Sequence, residues 1–514
     1  MFGTLAHLID QTAFRLPEKE AILFLRKGKL ESRVAYASLR RVSNRAAHGL
    51  MEMGVEKGER VILFMPKSIE QVVIHLGVQK VGAISVILNP GFKKNEMEYF
   101  IKDTDAKMVI AGRREESLIQ SLAEERITFI VDTETPFAEQ KLFPQSSSEM
   151  EPVEGRPHDP ALLIYTSGTT GQPKGAILTQ QNLVQDASNI IHIWEITEKD
   201  VLCHALPLFH IHGLCFALHT SLIAGAKTMM CDEFSPETVM DILSRPEGEM
   251  SCSVFMAVPT MYVKLIEKRE GERRNLSHIR LLASGSAPLL SKDFDRIKDF
   301  FGREPVEREG MSETGMNFSN PLMGIKKPGS IGLPLPHVEV RIVNPETFQD
   351  VRPGEVGEIW LRGPNVTPGY WRKVRETEAA FVDGWFRTGD LGKKDKDGYY
   401  YITDRLKHII ISGGENISPK EIEAVINQHQ EIKESCVVGI ADEKWGERVM
   451  AAVVLKPGAS LTAKEVIGHC KNHLLDWKCP KEVFFVEELP RNRMGKILKE
   501  EVVKLFPESS CSEI

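Results

Sequence analysis

The stretch Ala161-Leu162-Leu163-Ile164-Tyr165-Thr166-Ser167-Gly168-Thr169-Thr170-Gly171-Gln172-Pro173-Lys174-Gly175 decides how the rest of the chain is read. It opens on a short apolar run, Ala161 to Ile164, of the kind that forms a buried strand. The hydroxyls of Thr166, Ser167, Thr169 and Thr170 follow, with Gly168, Gly171, Gly175 and the ammonium of Lys174. Glycine lets a backbone turn tightly and bring its N–H groups close to a ligand. Hydroxyls and a lysine add donors and charge, so the combination suits a phosphate chain. It is not a Walker A loop, because Lys174 follows Pro173 where that loop has Gly and precedes Gly175 where it has Ser or Thr. A Ser/Thr/Gly-rich surface loop shares this composition, but it does not require the order of the whole string.

At 514 residues the chain exceeds the usual length of one domain. Its 42% hydrophobic and 27% charged residues are the balance of a globular protein with a large core. The net charge of −7 gives no basic excess to suggest nucleic acid as the main partner, and none is expected. An anionic ligand must then be held by local lysines and glycine loops. The eight cysteines are irregularly spaced with no CxxC pair, which points to reduced thiols and a cytoplasmic location. Met1-Phe2-Gly3-Thr4-Leu5 lacks the pattern of a secretory signal. No apolar run reaches the roughly eighteen residues of a membrane span. The ending Ser512-Glu513-Ile514 is not a peroxisomal address.

Helix and strand signals alternate through the first third. Ala37 to Met53 and Ile69 to Val81 have helical spacing; Val61 to Met65, Ile84 to Leu88 and Lys107 to Ala111 read as strands. That is a βαβ pattern, and it argues for a largely parallel sheet with helices on its faces. Pro136 to Pro157 is a polar connector, and Val254 to Val258 and Ile279 to Ala283 continue the buried strands. After Gly354 the texture turns to β with turns: Gly357 to Leu361, Trp385 to Thr388 and Gly398 to Ile402. Past Arg405 a mixed unit follows, with helices over Pro419 to Gln428 and Ala463 to Leu474 and strands over Ser435 to Ile440 and Val449 to Leu455. The fold class is therefore α/β and multi-domain. Residues 1–404 form a large N-terminal domain of α/β layers plus a β-rich part, and 405–514 a small α+β C-terminal domain. Pro507 to Ile514 reads as a disordered tail.

Six further segments accompany the glycine loop. They are Leu206-Pro207-Leu208-Phe209-His210, Ala283-Ser284-Gly285-Ser286-Ala287-Pro288-Leu289, Gly310-Met311-Ser312-Glu313-Thr314, Gly384-Trp385-Phe386-Arg387-Thr388-Gly389-Asp390, Asp404-Arg405-Leu406-Lys407 and Pro490-Arg491-Asn492-Arg493-Met494-Gly495-Lys496. In this order, over essentially the whole length, the chain resembles the AMP-forming acyl-CoA synthetases of the adenylate-forming superfamily. The resemblance is nearest to malonyl-CoA synthetase and 4-coumarate-CoA ligase-like members.

The resemblance implies two half-reactions. A carboxylate attacks the α-phosphate of ATP, giving acyl-AMP and pyrophosphate; the thiol of CoA then attacks the acyl carbon and expels AMP. Both first-step reactants are anions, so the site must cancel charge and align the oxygens. Thr166, Ser167, Gly168, Thr169, Thr170, Gly171 and Lys174 would cradle the phosphates, and Glu313 would bind Mg2+, a cation that takes oxygen ligands. Ser286, Ala287, Pro288, Glu309, Gly310, Met311 and Ser312 would complete the nucleotide site, with Asp390 on the ribose and Arg405 beside the ribose or phosphate. Lys496 would stabilise the exchanging oxygens. Lys407 would be the hinge of a mobile C-terminal domain that swings Gly413, Gly414 and Glu415 towards the pantetheine arm. Relatives place an aromatic residue on adenine where this chain has Glu309, a departure that removes stacking.

The acyl pocket is expected from His210, Met256, Ala257, Arg280, Ser284, Gly285, Gly315, Met316 and Phe318. In malonyl-CoA synthetases the arginine matching Arg280 can pair with a distal carboxylate, whereas a pocket-facing Phe318 would favour apolar acids. The acid stays open between a small dicarboxylate and a short, medium or cyclic monocarboxylate. His210 and His212 would share one face of a strand. That spacing suits a metal, but no third ligand is evident nearby, so His212 reads better as a packed or gating residue. An alternative is an adenylation module that loads a carrier-protein pantetheine. A luciferase-like oxygenase and a catalytically dead nucleotide-binding protein fit less well.

Overall fold

The computed structural model describes residues 3–122, 126–139, 142–166, 172–268, 276–412, 415–442, 445–491 and 497–506. The backbone divides into two compact units, 1–340 with 361–386, and 341–360 with 387–514.

The first unit holds two large sheets. One runs, in spatial order, Ile127–Val131, Met108–Gly112, Arg60–Phe64, Ile84–Ile87, Pro160–Thr166 and Lys174–Thr179. All its pairs are parallel except the last, where Thr166 lies opposite Lys174 in an antiparallel hairpin. The other runs Leu333–Pro334, Gly315–Ser319, Val306–Met311, Leu281–Ser284, Val254–Ala257, Val201–His204, Lys227–Cys231, Glu20–Arg26 and Lys29–Ala35. It is parallel through its middle and antiparallel at both edges. The expected βαβ unit is present: Arg60–Phe64 and Ile84–Ile87 pair in parallel on either side of helix Ile69–Val81. Ligands of open parallel sheets bind beyond the carboxyl ends of the strands. Thr166, His204 and Ser284 are such ends.

Helix Ile69–Val81 is buried at every position, as a helix enclosed on all sides must be. Ser68 caps its start by accepting from Gln71 N, and Gly82 ends it in the left-handed region at φ 74°. Its polar residues survive burial because each finds a partner. Lys80 Nζ donates to Asp10 and Asn44 at 2.6 Å. Gln79 Nε2 donates to Ser85 Oγ and Ala161 O, and Gln79 Oε1 accepts from Gln180 Nε2. His75 lies 2.8 Å from Ser85 Oγ on one side and 2.9 Å from His219 Nε2 on the other.

In the second unit, Glu415–Ile417, Ile410–Ser412, Gly446–Leu455 and Ile432–Asp442 form a sheet to which Glu482–Phe485 adds in parallel. Alternate residues serve two cores. Val437, Val449, Ala451 and Val453 pack with helices Pro419–Ile426 and Ala463–Lys471. Cys436, Val438, Met450 and Ala452 pack with Val502 and Phe506. A period of two with both faces covered explains a continuous apolar run in these strands.

Among the described residues no helix is long and apolar enough to cross a membrane.

Candidate active site

The base of the glycine loop is anchored from helix Lys94–Thr104. Tyr99 OH donates to Pro173 O at 2.6 Å, and Tyr165 OH donates to Asp103 at 2.7 Å. Lys373 closes an ion pair with the same aspartate at 2.8 Å. Ser167, Gly168, Thr169, Thr170 and Gly171 lie outside the described residues, so the loop is read from its two ends. Thr166 Oγ1 donates to Glu313 Oε1 at 3.3 Å, and Tyr370 OH donates to the same oxygen at 3.1 Å. Lys174 Nζ stands 5.6 Å from the centre of the Tyr370 ring. Burial beside Glu313 pushes the Tyr370 phenol well above its ordinary value, so it stays a donor. Three expected residues thus meet at the end of one strand, and Tyr370 joins them. Its only sequence signal was an aromatic pair after Pro368-Gly369.

Glu313 is a buried carboxylate flanked by hydroxyls. Such a donor set fits Mg2+, which takes hard oxygens and commonly only one or two carboxylates. Among the described residues no group of three or more His, Cys, Asp or Glu is placed to hold a metal alone. Phosphate oxygens and water would complete the shell.

The acyl-side candidates gather around the start of a π-helix, His212–His219. Single π-turns are uncommon and often mark functional sites. Here the structure corrects the sequence expectation: His210 and His212 do not share a strand face, because His212 already lies in this helix. His210 is half-buried, and burial lowers its imidazole to about 4, so it is neutral at pH 7. Burial holds His212 neutral as well.

Ser286, at a left-handed φ of 70°, presents Oγ to His212 Nδ1 at 3.2 Å and to Arg308 Nη2 at 3.3 Å. A guanidinium can only donate, so Ser286 Oγ accepts from Arg308 and donates its O–H to His212 Nδ1. That fixes His212 as the Nε2–H tautomer. Among the described residues His212 Nε2, Arg308 Nε and Arg308 Nη1 are buried without an acceptor, and Ser284 Oγ is also buried and unpartnered. Gly285 is required here, because a Cβ at that position would lie 2.6 Å from Arg308 Nε. The Arg308 guanidinium also stacks 4.8 Å from the Phe216 ring centre. Burial lowers its value to about 10, which leaves it charged at neutral pH.

Arg280 is not the free arginine that the sequence suggested. It sits at the opposite end of strand Leu281–Ser284 from Ser284. Its Nε and Nη2 bind both oxygens of Asp200 at 2.7 Å, and its remaining bonds go to Trp194 O and Glu195 O. It ties a loop to the sheet and has no charge to spare for a ligand. Arg308, within Glu307-Arg308-Glu309, was not singled out from the sequence.

Gly315, Met316 and Phe318 lie on Gly315–Ser319, paired with Val306–Met311 so that Glu309 faces Phe318 and Gly310 faces Met316. Asn317 Nδ2 donates to Glu309 Oε2 at 3.1 Å. Met316 N donates to Asp186 Oδ1 at 2.8 Å, a buried carboxyl that sequence reading missed. Met256 borders a small interior space with Leu202, Ala217 and Thr220. Ala257 is buried, while Ser286 and Pro288 are exposed and Ala287 half-buried. Met311 and Ser312 are half-buried at the turn before Glu313.

In the second unit Asp390 lies opposite Arg405 in an antiparallel pair, and their side chains form an ion pair at 2.7 Å. Asp404, by contrast, receives Ser418 Oγ at 2.5 Å and Lys420 N at 3.0 Å, anchoring the start of helix Pro419–Ile426. Lys407 is exposed on the short turn Leu406–His408. Glu415 begins strand Glu415–Ile417, while Gly413, Gly414 and Lys496 lie outside the described residues.

Residues 9–371 match the model of the AMP-binding enzyme family, and residues 421–496 that of the AMP-binding enzyme C-terminal domain. The oxalate–CoA ligase of Arabidopsis thaliana is 33% identical, over 98% of this chain and 99% of its own length. The mitochondrial malonate–CoA ligase ACSF3 of Homo sapiens is 36% identical, over 87% of this chain and 83% of its own. The crystal structure of ATP-bound MatB from Rhodopseudomonas palustris superposes with a TM-score of 0.91 at 34% identity, over 97% of this chain and 98% of that one. The Bacillus subtilis o-succinylbenzoate CoA synthetase MenE with its acyl-adenylate intermediate gives 0.84 at 30% identity, over 96% and 97%. The chain belongs to the AMP-binding enzyme family, and within it to the AMP-forming acyl-CoA synthetases.

Proposed function

We propose that this AMP-forming carboxylate–CoA ligase activates a small dicarboxylic acid, with Arg308 as the partner of the carboxylate that does not react. The carrying observation is the cluster of donors without acceptors: Arg308 Nε and Nη1 and His212 Nε2. A buried guanidinium whose N–H groups lack acceptors is costly. A carboxylate supplies an acceptor for donors of this cluster, and charge-assisted bonds of that kind are the strong ones. An apolar acyl tail would leave every one unpaired. Relatives whose names specify oxalate and malonate lend support.

ATP and CoA are the co-substrates. In this reading Thr166, Lys174 and the loop between them hold the phosphates, and Glu313 holds Mg2+, steadied by Thr166 and Tyr370. His210, neutral at pH 7, lies beside the reacting carboxylate. Asp390 and Arg405 take the ribose, and Glu309 the adenine edge. Lys496 supplies the ammonium for oxygen exchange. Lys407 is the hinge that brings Gly413, Gly414 and Glu415 into use for thioester formation. Seven free, buried cysteines among the described residues fit a reducing, cytoplasmic setting.

The test is a panel of acids with ATP, Mg2+ and CoA, followed by AMP release. Dicarboxylates of malonate size should exceed monocarboxylates of equal length in kcat/KM by about tenfold or more, the worth of one charge-assisted bond. Equal or better use of the monocarboxylates overturns the assignment.

A further inference from the structure

Asp186 has no part in the reaction as described so far. It lies on helix Gln180–Ile193, only 3% exposed. Its Oδ1 accepts from Met316 N at 2.8 Å, and among the described residues its Oδ2 accepts nothing. Gly315, at φ 64°, leaves room for it: a Cβ there would lie 2.8 Å from Oδ1 and 3.4 Å from Oδ2. No cation forms an ion pair with it among the described residues. The cation whose charge acts on it is Arg308, the same guanidinium whose Nε and Nη1 are unpartnered among the described residues.

For packing alone this is an unfavourable choice. An asparagine would accept the same Met316 N–H without bringing a charge into the interior. The amide brings two N–H donors; what the carboxyl alone offers is a charge that a proton can remove.

We infer that Asp186 is a specificity-determining residue that takes up a proton when an acid with a second carboxylate binds at Arg308. This rests on the dicarboxylate reading and deepens it. While the site is empty, the charge on Asp186 offsets that of Arg308 from a neighbouring element. A ligand carboxylate takes over that role. Two buried anions then share one cation, and the anion best able to discharge is the one whose value is already high. Desolvation raises Asp186 to about 7, with Arg308 and the Met316 N–H opposing the rise. The ionisable groups acting on it are Arg308 on Val306–Met311 and Cys215 on the π-helix. Arg308 in turn feels Glu309 and Tyr262, and His212 feels Arg308. Burial keeps Cys215 and Tyr262 protonated and His212 neutral, so none of these three titrates between pH 6 and 8.

Calorimetry at pH 7.5 tests this, with a non-hydrolysable ATP analogue present and two buffers of different ionisation enthalpy. A malonate-sized dicarboxylate should bind with uptake of about half a proton to one proton, and the equal-length monocarboxylate with none. Asp186→Asn keeps the acceptor for Met316 N–H. It should abolish the uptake and tighten dicarboxylate binding about tenfold at pH 8.5, but leave it unchanged at pH 6. In the wild type, KM for the dicarboxylate should rise from pH 6.5 to 8.5, and in the variant it should stay flat. Dicarboxylate binding without proton uptake, or with the same uptake in Asp186→Asn, overturns the inference and leaves the dicarboxylate reading intact. If no dicarboxylate binds the wild type, that reading falls and the inference with it.

Discussion

Thr166 Oγ1 donates to Glu313 Oε1 across 3.3 Å, although 147 residues separate the two. One ends the strand before the glycine loop, and the other follows Val306–Met311 at the sheet beyond it. The bond joins the strand that enters the glycine loop to the carboxylate proposed for Mg2+. Tyr370 OH reaches the same oxygen and holds the carboxylate from a third segment.

Glu313→Gln should therefore lower adenylation about a hundredfold or more and raise the Mg2+ concentration needed for half-activity. It removes the anion but keeps the acceptor oxygen. Tyr370→Phe removes one donor to that oxygen. At about 1 kcal/mol for a net hydrogen bond, it should cost roughly fivefold in kcat. Titrating ATP–pyrophosphate exchange against Mg2+ checks both. An unchanged Mg2+ dependence in Glu313→Gln would remove the metal assignment.

Arg308→Met should raise KM for the dicarboxylate by roughly 10- to 100-fold, as expected for a lost charge-assisted bond of about 1.5–3 kcal/mol. KM for a monocarboxylate of equal length should change little, since its tail has no charge to lose. Arg280→Met should show the opposite pattern. It breaks the Asp200 ion pair and lowers thermal stability without changing the preference among acids. Steady-state kinetics on the two acids, with a melting curve for each variant, separates these outcomes.

Lys496→Ala should reduce adenylation by about a thousandfold, the scale of removing a charge-stabilising donor. Thioester formation from preformed acyl-AMP should survive far better. Lys407→Pro should do the reverse, impairing thioesterification more than adenylation. Single-turnover assays of each half-reaction decide the matter. Equal losses in both steps would contradict the assigned roles.

The buried pair His75 and His219 makes the fold sensitive to acid. Burial lowers His75 to about 3, against roughly 6.5 in an unfolded chain. Its folded value is the depressed one, so the unfolded state binds more protons between these limits. Stability is complete above about pH 6.5 and is lost as pH falls below it. From pH 7 to pH 5 the loss should be about 2 kcal/mol for this imidazole, and His219, also held neutral by burial, adds to it. His75→Gln should flatten the fall of Tm over that range. An equally steep fall in the variant would place the acid sensitivity elsewhere.

Much of the fold could be read from one dimension. Ile69 to Val81 spells out a helix between two short apolar runs, and only a parallel βαβ unit places those elements well. The strand from Ala161 into the glycine loop was legible for the same reason, since local pattern and backbone freedom act over a few residues. The pocket was less so. Arg280 precedes a buried strand and Arg308 stands among other charges, and nothing in either neighbourhood says which of them keeps an unspent guanidinium.

The order of residues alone determined the alternating architecture, the membership in a ligase family and the choice of Thr166, Lys174 and Glu313 as candidates. Those rest on spacing and on backbone conformations that few residues permit. Only the folded chain decided that Arg280 spends its charge on Asp200, that Arg308 and His212 keep buried donors without a partner among the described residues, and that Asp186 accepts from Met316 N. The reason is physical: a side chain's free valence is what remains after its neighbours in space have bonded, and those neighbours come from strands and helices far apart in sequence.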